Sequence, residues 1–236
     1  MITTVQQIVY TNAPEHWHAL AAAFGLVAPY PPSPEWAEFI GDGVLAVHRA
    51  TPGHPAGRVD VNLLVDDLDA AERALRGHDV VRSVMEGVGE MLTVTAGLTF
   101  GVFPGAEQTG GELVVQPIWF HDDIAGAREA LEALGLRVGI ASDDGGWIEL
   151  RAAGGGSVGV HAASGRAEGD GAGWGLSFLY SGDLDALAAR LRDADVAASV
   201  VDESYGRTIR LPDPDGGADI WINGPQTDLY GYHGAS

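Results

Sequence analysis

Two histidines close short β-like runs at matching places in the chain, VLAVH ending at His48 and SVGVH ending at His161. Each follows a strand-like segment that carries a glutamine, Gln6 in the first case and Gln116 in the second. Residues two apart share one face of a strand, so these groups can look into a common space. An imidazole with a carboxamide has three readings. It is a pair of ligands for a divalent metal, a polar anchor for a small molecule, or a strand-end histidine satisfied by backbone or water. Two donors without a carboxylate make a poor divalent site, so coordination is the least supported of the three. Glu149, in the run WIEL, is the carboxylate that strand alternation turns inward, and its chemistry there would be that of a general base.

Other constellations have plainer explanations. The paired carboxylates Asp66-Asp67 and Asp122-Asp123 stand where helices begin, as capping residues do. Asp213 and Asp215 flank a proline in a turn. His16 and His18 lie two apart on a helix and point away from each other, so they cannot share an ion. Trp174, Phe178, Tyr205 and Trp221 cluster late in the chain. They serve either as core packing or as a platform on which a flat ligand stacks. A platform of that kind suits planar or cationic molecules, in keeping with a formal net charge of −20.

Composition removes several classes of chemistry. The chain has no cysteine, which excludes disulfides, thiolate nucleophiles and cysteine–metal sites. All 13 basic residues are arginine, so Schiff-base chemistry and a lysine-dependent phosphate loop are excluded as well. The acidic charge repels phosphate backbones, and nucleic acid is not an expected partner. No apolar run approaches the roughly 18–20 residues of a membrane span, and the N-terminus lacks the pattern of a signal peptide. A soluble, cytoplasmic protein without a membrane partner is the expectation.

The elements that position these residues repeat. Four segments begin as a β-like run and pass at once into an amphipathic helix, at 3–26, 59–77, 114–135 and 174–196. Their starts recur at roughly 55-residue intervals. Each helix carries apolar residues at i, i+3 and i+7: Trp17, Leu20, Phe24; Leu68, Ala71, Leu75; Ile124, Ala127, Leu131; Leu184, Leu187, Leu191. That spacing puts each triple on one face, ready to lie on a sheet. Capping residues precede each helix, with Asn12 (Glu15 three later) expected to start the first. Short β-like runs separated by Gly-rich or acidic turns follow every helix. The Gly-rich segment at 104–112 reads as the boundary between two halves, and a tail at 224–236 follows the last strand. The YGY cluster in that tail suggests that it packs against something.

Strand, helix and three strands, repeated in pairs, resembles the vicinal-oxygen-chelate superfamily of glyoxalases, bleomycin-resistance proteins and extradiol dioxygenases. The likeness is carried by VDVNLLVDDLDAAERAL (59–75) and by LPDPDGGADIWIN (211–223), whose DPDG turn precedes the last strand. It implies an α+β protein of four βαβββ modules, at about 3–50, 59–104, 114–163 and 173–223. These would form two domains, 1–108 and 113–236, each a curved mixed sheet around a cleft with helices outside. Metal-using relatives draw ligands from the first strand of each module and a glutamate from the last. By that resemblance the first-strand positions hold Gln6, Asp60, Gln116 and Gly175, and the last-strand positions hold Ala46, Gly101, Gly159 and Trp221. None of the latter is a glutamate, so no metal ligand is assigned and no cofactor is expected. A divalent metal stands as the less favoured alternative. An indole at Trp221 would exchange coordination for stacking. The expectation is therefore a monomer or homodimer that binds a planar or cationic small molecule through Gln6, His48, Asp60, Gln116, His161, Trp174, Tyr205 and Trp221. The alternative is a lyase or isomerase with an unorthodox site.

Overall fold

A computed structural model describes residues 1–163 and 173–234. In the N-terminal half, β1 (Thr3–Thr11) leads into α1 (Pro14–Phe24), β2 (Trp36–Gly41) and β3 (Gly43–Arg49). A second unit follows: β4 (Val59–Val65), α2 (Leu68–Ala74), β5 (Asp79–Met85), β6 (Gly89–Ala96) and β7 (Leu98–Pro104). The two units join where β1 pairs antiparallel with β4, giving one seven-stranded sheet in the order β2-β3-β1-β4-β7-β6-β5. Within each unit the first strand runs parallel to the last, β1 with β3 and β4 with β7.

The first unit has two strands after its helix where three were expected. The missing strand is reduced to the single bridge Val27–Ile40. The segment between carries Pro29, Pro31, Pro32 and Pro34, each without the N–H that a ladder needs.

The C-terminal half repeats the plan with a break. Its first long strand is divided at Gln116-Pro117 into β8 (Leu113–Val115) and β9 (Ile118–Phe120). After α3 (Ile124–Ala133) come β10 (Arg137–Ser142), β11 (Trp147–Arg151) and β12 (Ser157–His161). The fourth unit opens on a strand divided at Leu176, β13 (Gly173–Gly175) and β14 (Ser177–Tyr180), and continues through α4 (Leu184–Asp193), β15 (Ser199–Glu203), β16 (Gly206–Leu211) and β17 (Ile220–Asn223). Because both leading strands are divided, the sheet splits in two. One runs β13-β9-β12-β11-β10-β18, the other β15-β16-β17-β14-β8, where β18 (Tyr232–Gly234) belongs to the tail. The tail thus packs as expected, pairing antiparallel with the edge of β10.

Of the twelve helix residues at i, i+3 and i+7, eleven are buried in the core and Ile124 packs against it half-buried. Three helices are capped by an aspartate accepting backbone N–H groups: Asp67 from Ala70, Asp123 from Gly126, and Asp183 from Asp185 and Ala186. The first is not. Ala13 occupies its N-cap with no side-chain bond and Pro14 supplies the pre-set φ of the first turn, while the Asn12 N–H goes to Asp215.

The helices lie on the convex faces, outside the clefts, and the convex faces of the two halves turn toward each other. One hydrophobic cluster runs from Val5 and Trp17 through Trp119 to Ile222. Phe24 of α1 meets Phe178 of β14 at 5.3 Å between ring centroids, and Phe100 of β7 meets Trp119 of β9 at 5.7 Å. Backbone bonds also cross between the halves: Val5 N–H to the Gly155 carbonyl at 2.9 Å, and Gly154 N–H to that of Thr3 at 2.8 Å. The opposite faces of the sheets, carrying the clefts, point away from this shared core. No helix among the described residues is long and apolar enough to cross a membrane.

Candidate functional site

Strand register assigns each candidate side chain to a face. On β1, Val5 and Val9 enter the shared core, so Gln6, Ile8 and Tyr10 face the N-terminal cleft. Tyr10 lies opposite His48, and Ile8 opposite Ala46 and Asp60. Trp36 of β2 lies opposite His48, and Glu38 opposite Ala46. Gln6 and His48 therefore share the face but stand four residues apart along it, about 13 Å at ~3.3 Å per residue. The expected Gln6–His48 pair is not formed. Gln6, 4% exposed, instead donates through Nε2 to Glu38 Oε1 at 2.9 Å and accepts from Asn62 Nδ2 at 2.9 Å. The Tyr30 hydroxyl donates to Glu38 Oε2 at 2.9 Å and accepts from Trp36 Nε1 at 3.0 Å. Burial, then the bond to Glu38, pushes the Tyr30 phenol up to about 12.

His48 sits at the other end of the face. Its Nδ1 contacts the Arg49 carbonyl at 2.6 Å, and its ring lies 5.2 Å from Tyr10 and 5.7 Å from Trp36. Asp60 pairs with Arg58 at 2.8 Å. Burial and the charge of Asp60 raise the Tyr10 phenol above its ordinary range. His54 stacks on Tyr10 at 4.7 Å.

The C-terminal half carries the same set. Phe120 and Trp147 lie opposite His161, and Ile118 and Glu149 lie opposite Gly159, in the register of Tyr10, Trp36, Ile8 and Glu38. His161 bonds the Ala162 carbonyl at 2.9 Å, with Phe120 at 5.6 Å and Trp147 at 5.8 Å. Gln116 again stands four residues from the histidine's partner, so the expected Gln116–His161 pair is not formed either. Gln116 Nε2 donates to Ser157 Oγ at 2.9 Å, and its buried Oε1 has no hydrogen-bond partner. The constellation of glutamine, aromatic ring, Trp-x-Glu and histidine is therefore duplicated. Glu38, the two tryptophans and the rings of Tyr10 and Phe120 are the members that the sequence did not single out. For Glu38 and the tryptophans the signal was present in the runs WAE and WIE, each facing a strand that ends in histidine.

The copies differ in what surrounds the glutamate. Glu149 has a side chain 6% exposed, and its Oε2 accepts from Arg151 Nε and Nη2 at 3.2 and 3.0 Å. It is enclosed and committed to a guanidinium, not open to a reacting proton as a general base requires. Trp147 lies across Gly159 so closely that a Cβ there would overlap the indole.

The remaining candidates separate. Trp221 does face the C-terminal cleft, with Arg210 opposite it; the Arg210 guanidinium lies 4.2 Å over the indole and pairs with Glu203 at 2.5 Å. Tyr205 sits in the turn between β15 and β16, where burial raises its phenol above the ordinary range. Trp174 is not in the cleft. It packs on Trp119 at 5.0 Å beside the core, and its Nε1 donates to the Thr99 carbonyl across the halves at 3.3 Å. Phe178 is core.

The residues do not fit the metal that the resemblance implies. The last-strand positions Ala46, Gly101 and Gly159 offer no donor, and an added Cβ at 101 would meet Asn62 and Phe103. Among the described residues, no three His, Asp or Glu side chains come together to hold an ion.

No protein-family model and no curated protein matches the sequence. Solved structures do. The 2,3-dioxygenase LapB from Pseudomonas sp. KL28 is similar at a TM-score of 0.62 and 14% identity, over 94% of this chain and 91% of its own. A catechol 2,3-dioxygenase gives 0.61 and 13%, over 95% and 92%. The Mn(II)-bound glyoxalase from Novosphingobium aromaticivorans gives 0.62 and 15%, over 95% and 82%. At such identities the likeness establishes the fold, that of glyoxalases and extradiol dioxygenases.

Proposed function

We propose that this chain uses the glyoxalase-type fold to bind a planar or cationic small molecule without a metal, as a sequestering or recognition protein. The observation that carries the reading is the cover over Gly159. The position from which a last-strand carboxylate would reach a metal has no side chain, and the Trp147 indole fills the space that one would need. The counterpart in the N-terminal half is the methyl group of Ala46, fully buried beneath Tyr10 and Trp36. Removing a hard oxygen donor and replacing it with aromatic surface lowers affinity for a divalent ion and raises it for a flat organic molecule. Fold by itself does not assign an activity, and the dioxygenase and glyoxalase neighbours share architecture with this chain.

The test is metal analysis of purified protein with calorimetric titration of aromatic compounds, antibiotics among them. Less than 0.1 equivalent of divalent ion is expected (a threshold of order one ion per ten chains, marking a non-resident ion), together with binding that survives chelator. One equivalent of manganese, iron or zinc, lost on His48→Ala or His161→Ala, would overturn the reading in favour of a metalloenzyme.

A further inference from the structure

The duplicated constellation has opposite charge balance in its two copies. Glu149 is neutralised by Arg151. Glu38 is held by two neutral donors, the Gln6 amide and the Tyr30 hydroxyl, and no arginine pairs with it among the described residues. The arginines at the neighbouring strand ends are committed elsewhere, Arg49 to Glu35 at 2.9 Å and Arg58 to Asp60 at 2.8 Å. Neutral donors orient a carboxylate without cancelling its charge. Each oxygen accepts one bond and keeps lone-pair capacity for another. A half-buried anion beside aromatic rings attracts a cation more strongly than one in open water.

The C-terminal half also shows what completes such a site. There Arg210 lies over the Trp221 ring and pairs with Glu203, so the chain provides its own cation for an aromatic surface and a carboxylate. The N-terminal half provides one such set for itself, Arg58 lying 5.9 Å over the Tyr10 ring and paired with Asp60. Among the described residues, however, no cation is paired with Glu38 beside the ring of Trp36. From this contrast we infer that the N-terminal cleft is the binding site, and that its ligand is an organic cation, a protonated amine or quaternary nitrogen on a planar ring. Glu38 is the counter-ion, Trp36 and Tyr30 form the aromatic wall, and Gln6 is a positioning residue that fixes the carboxylate. In the C-terminal half the corresponding groups are engaged by the chain itself, Trp147 over Gly159, Arg151 on Glu149 and Arg210 over Trp221. This rests on the metal-free binding reading and narrows it.

The test is calorimetric titration with 1-methylquinolinium and with its neutral analogue quinoline, at a pH where quinoline is uncharged. The wild-type protein should prefer the cation. Glu38→Gln should weaken cation binding by about tenfold and leave quinoline unchanged, while Glu149→Gln should leave both unchanged. Should Glu38→Gln not fold, salt dependence of the wild type decides: binding of the cation falls with ionic strength and that of quinoline does not. Equal affinity for the two probes, a cation affinity indifferent to Glu38→Gln, a loss that follows Glu149→Gln, or no binding of the cation would each overturn the inference. Quinoline binding that persists in chelator would, in those cases, leave metal-free binding standing.

Discussion

Tyr30 links the cleft to solution conditions. Its phenol is raised from 10.0 to about 12, so the folded chain holds that proton more tightly than the unfolded chain does. The stabilisation this represents is complete below pH 10 and is lost as pH rises from 10 to about 12. Tyr30→Phe should therefore flatten the fall in melting temperature across that window. Superimposable pH profiles for the two proteins would remove the Tyr30–Glu38 bond from the account. Glu38 itself was hidden in the sequence for a definite reason. His48 and His161 end nearly identical runs, VLAVH and SVGVH, and so announce their equivalence. Glu38 and Glu149 are equivalent only through the strands they face, and the connections before those strands differ in length. Pairing Gln6 with His48 failed on the same point, because a shared face says nothing about distance along it.

Elements were more legible than sites, since a helix advertises itself through local period and caps. Asp67→Ala, Asp123→Ala and Asp183→Ala should each cost about 1 kcal/mol by loss of a side-chain acceptor at the helix start. Asn12→Ala should change stability by less than about 0.5 kcal/mol, because its side chain caps nothing. Chemical denaturation of the four variants checks the contrast. Gly159→Ala should be destabilising by about 1–3 kcal/mol, as the new methyl forces Trp147 from its place. Trp147→Ala in that background should recover part of the loss. The strand lost from the first unit and the division of two others were less visible. The lost strand and the division at Gln116-Pro117 follow from proline falling where a ladder needs an N–H, at 29–34 and at Pro117, whereas the division at Leu176 has no proline to announce it.

At the scale of the molecule, the fourfold repeat carried the architecture, and the structural neighbours agree with it. What a repeat does not convey is which faces meet. The convex faces could have been turned to solvent, and they are instead joined in one core. Trp17, 1% exposed, stands near that junction and its Nε1 donates to Asp215 at 3.0 Å. Trp17→Ala should cost about 3–5 kcal/mol and lower the melting of both halves together; a separate, unshifted transition for the C-terminal half would contradict it.

The Gly154-Gly155-Gly156 turn, bonded through its backbone to Thr3, Val5 and Gln108, carries one more consequence. Those bonds and the shared core bind residues 1–108 to residues 113–234 without using the peptide chain that links them. Covalent continuity between the halves is then dispensable once they have met. Produced as two separate polypeptides in one cell, 1–108 and 113–236 should purify as a complex through a tag on either piece, while each alone should aggregate because its convex face is apolar. The chain would be, in effect, a heterodimer whose subunits share one gene.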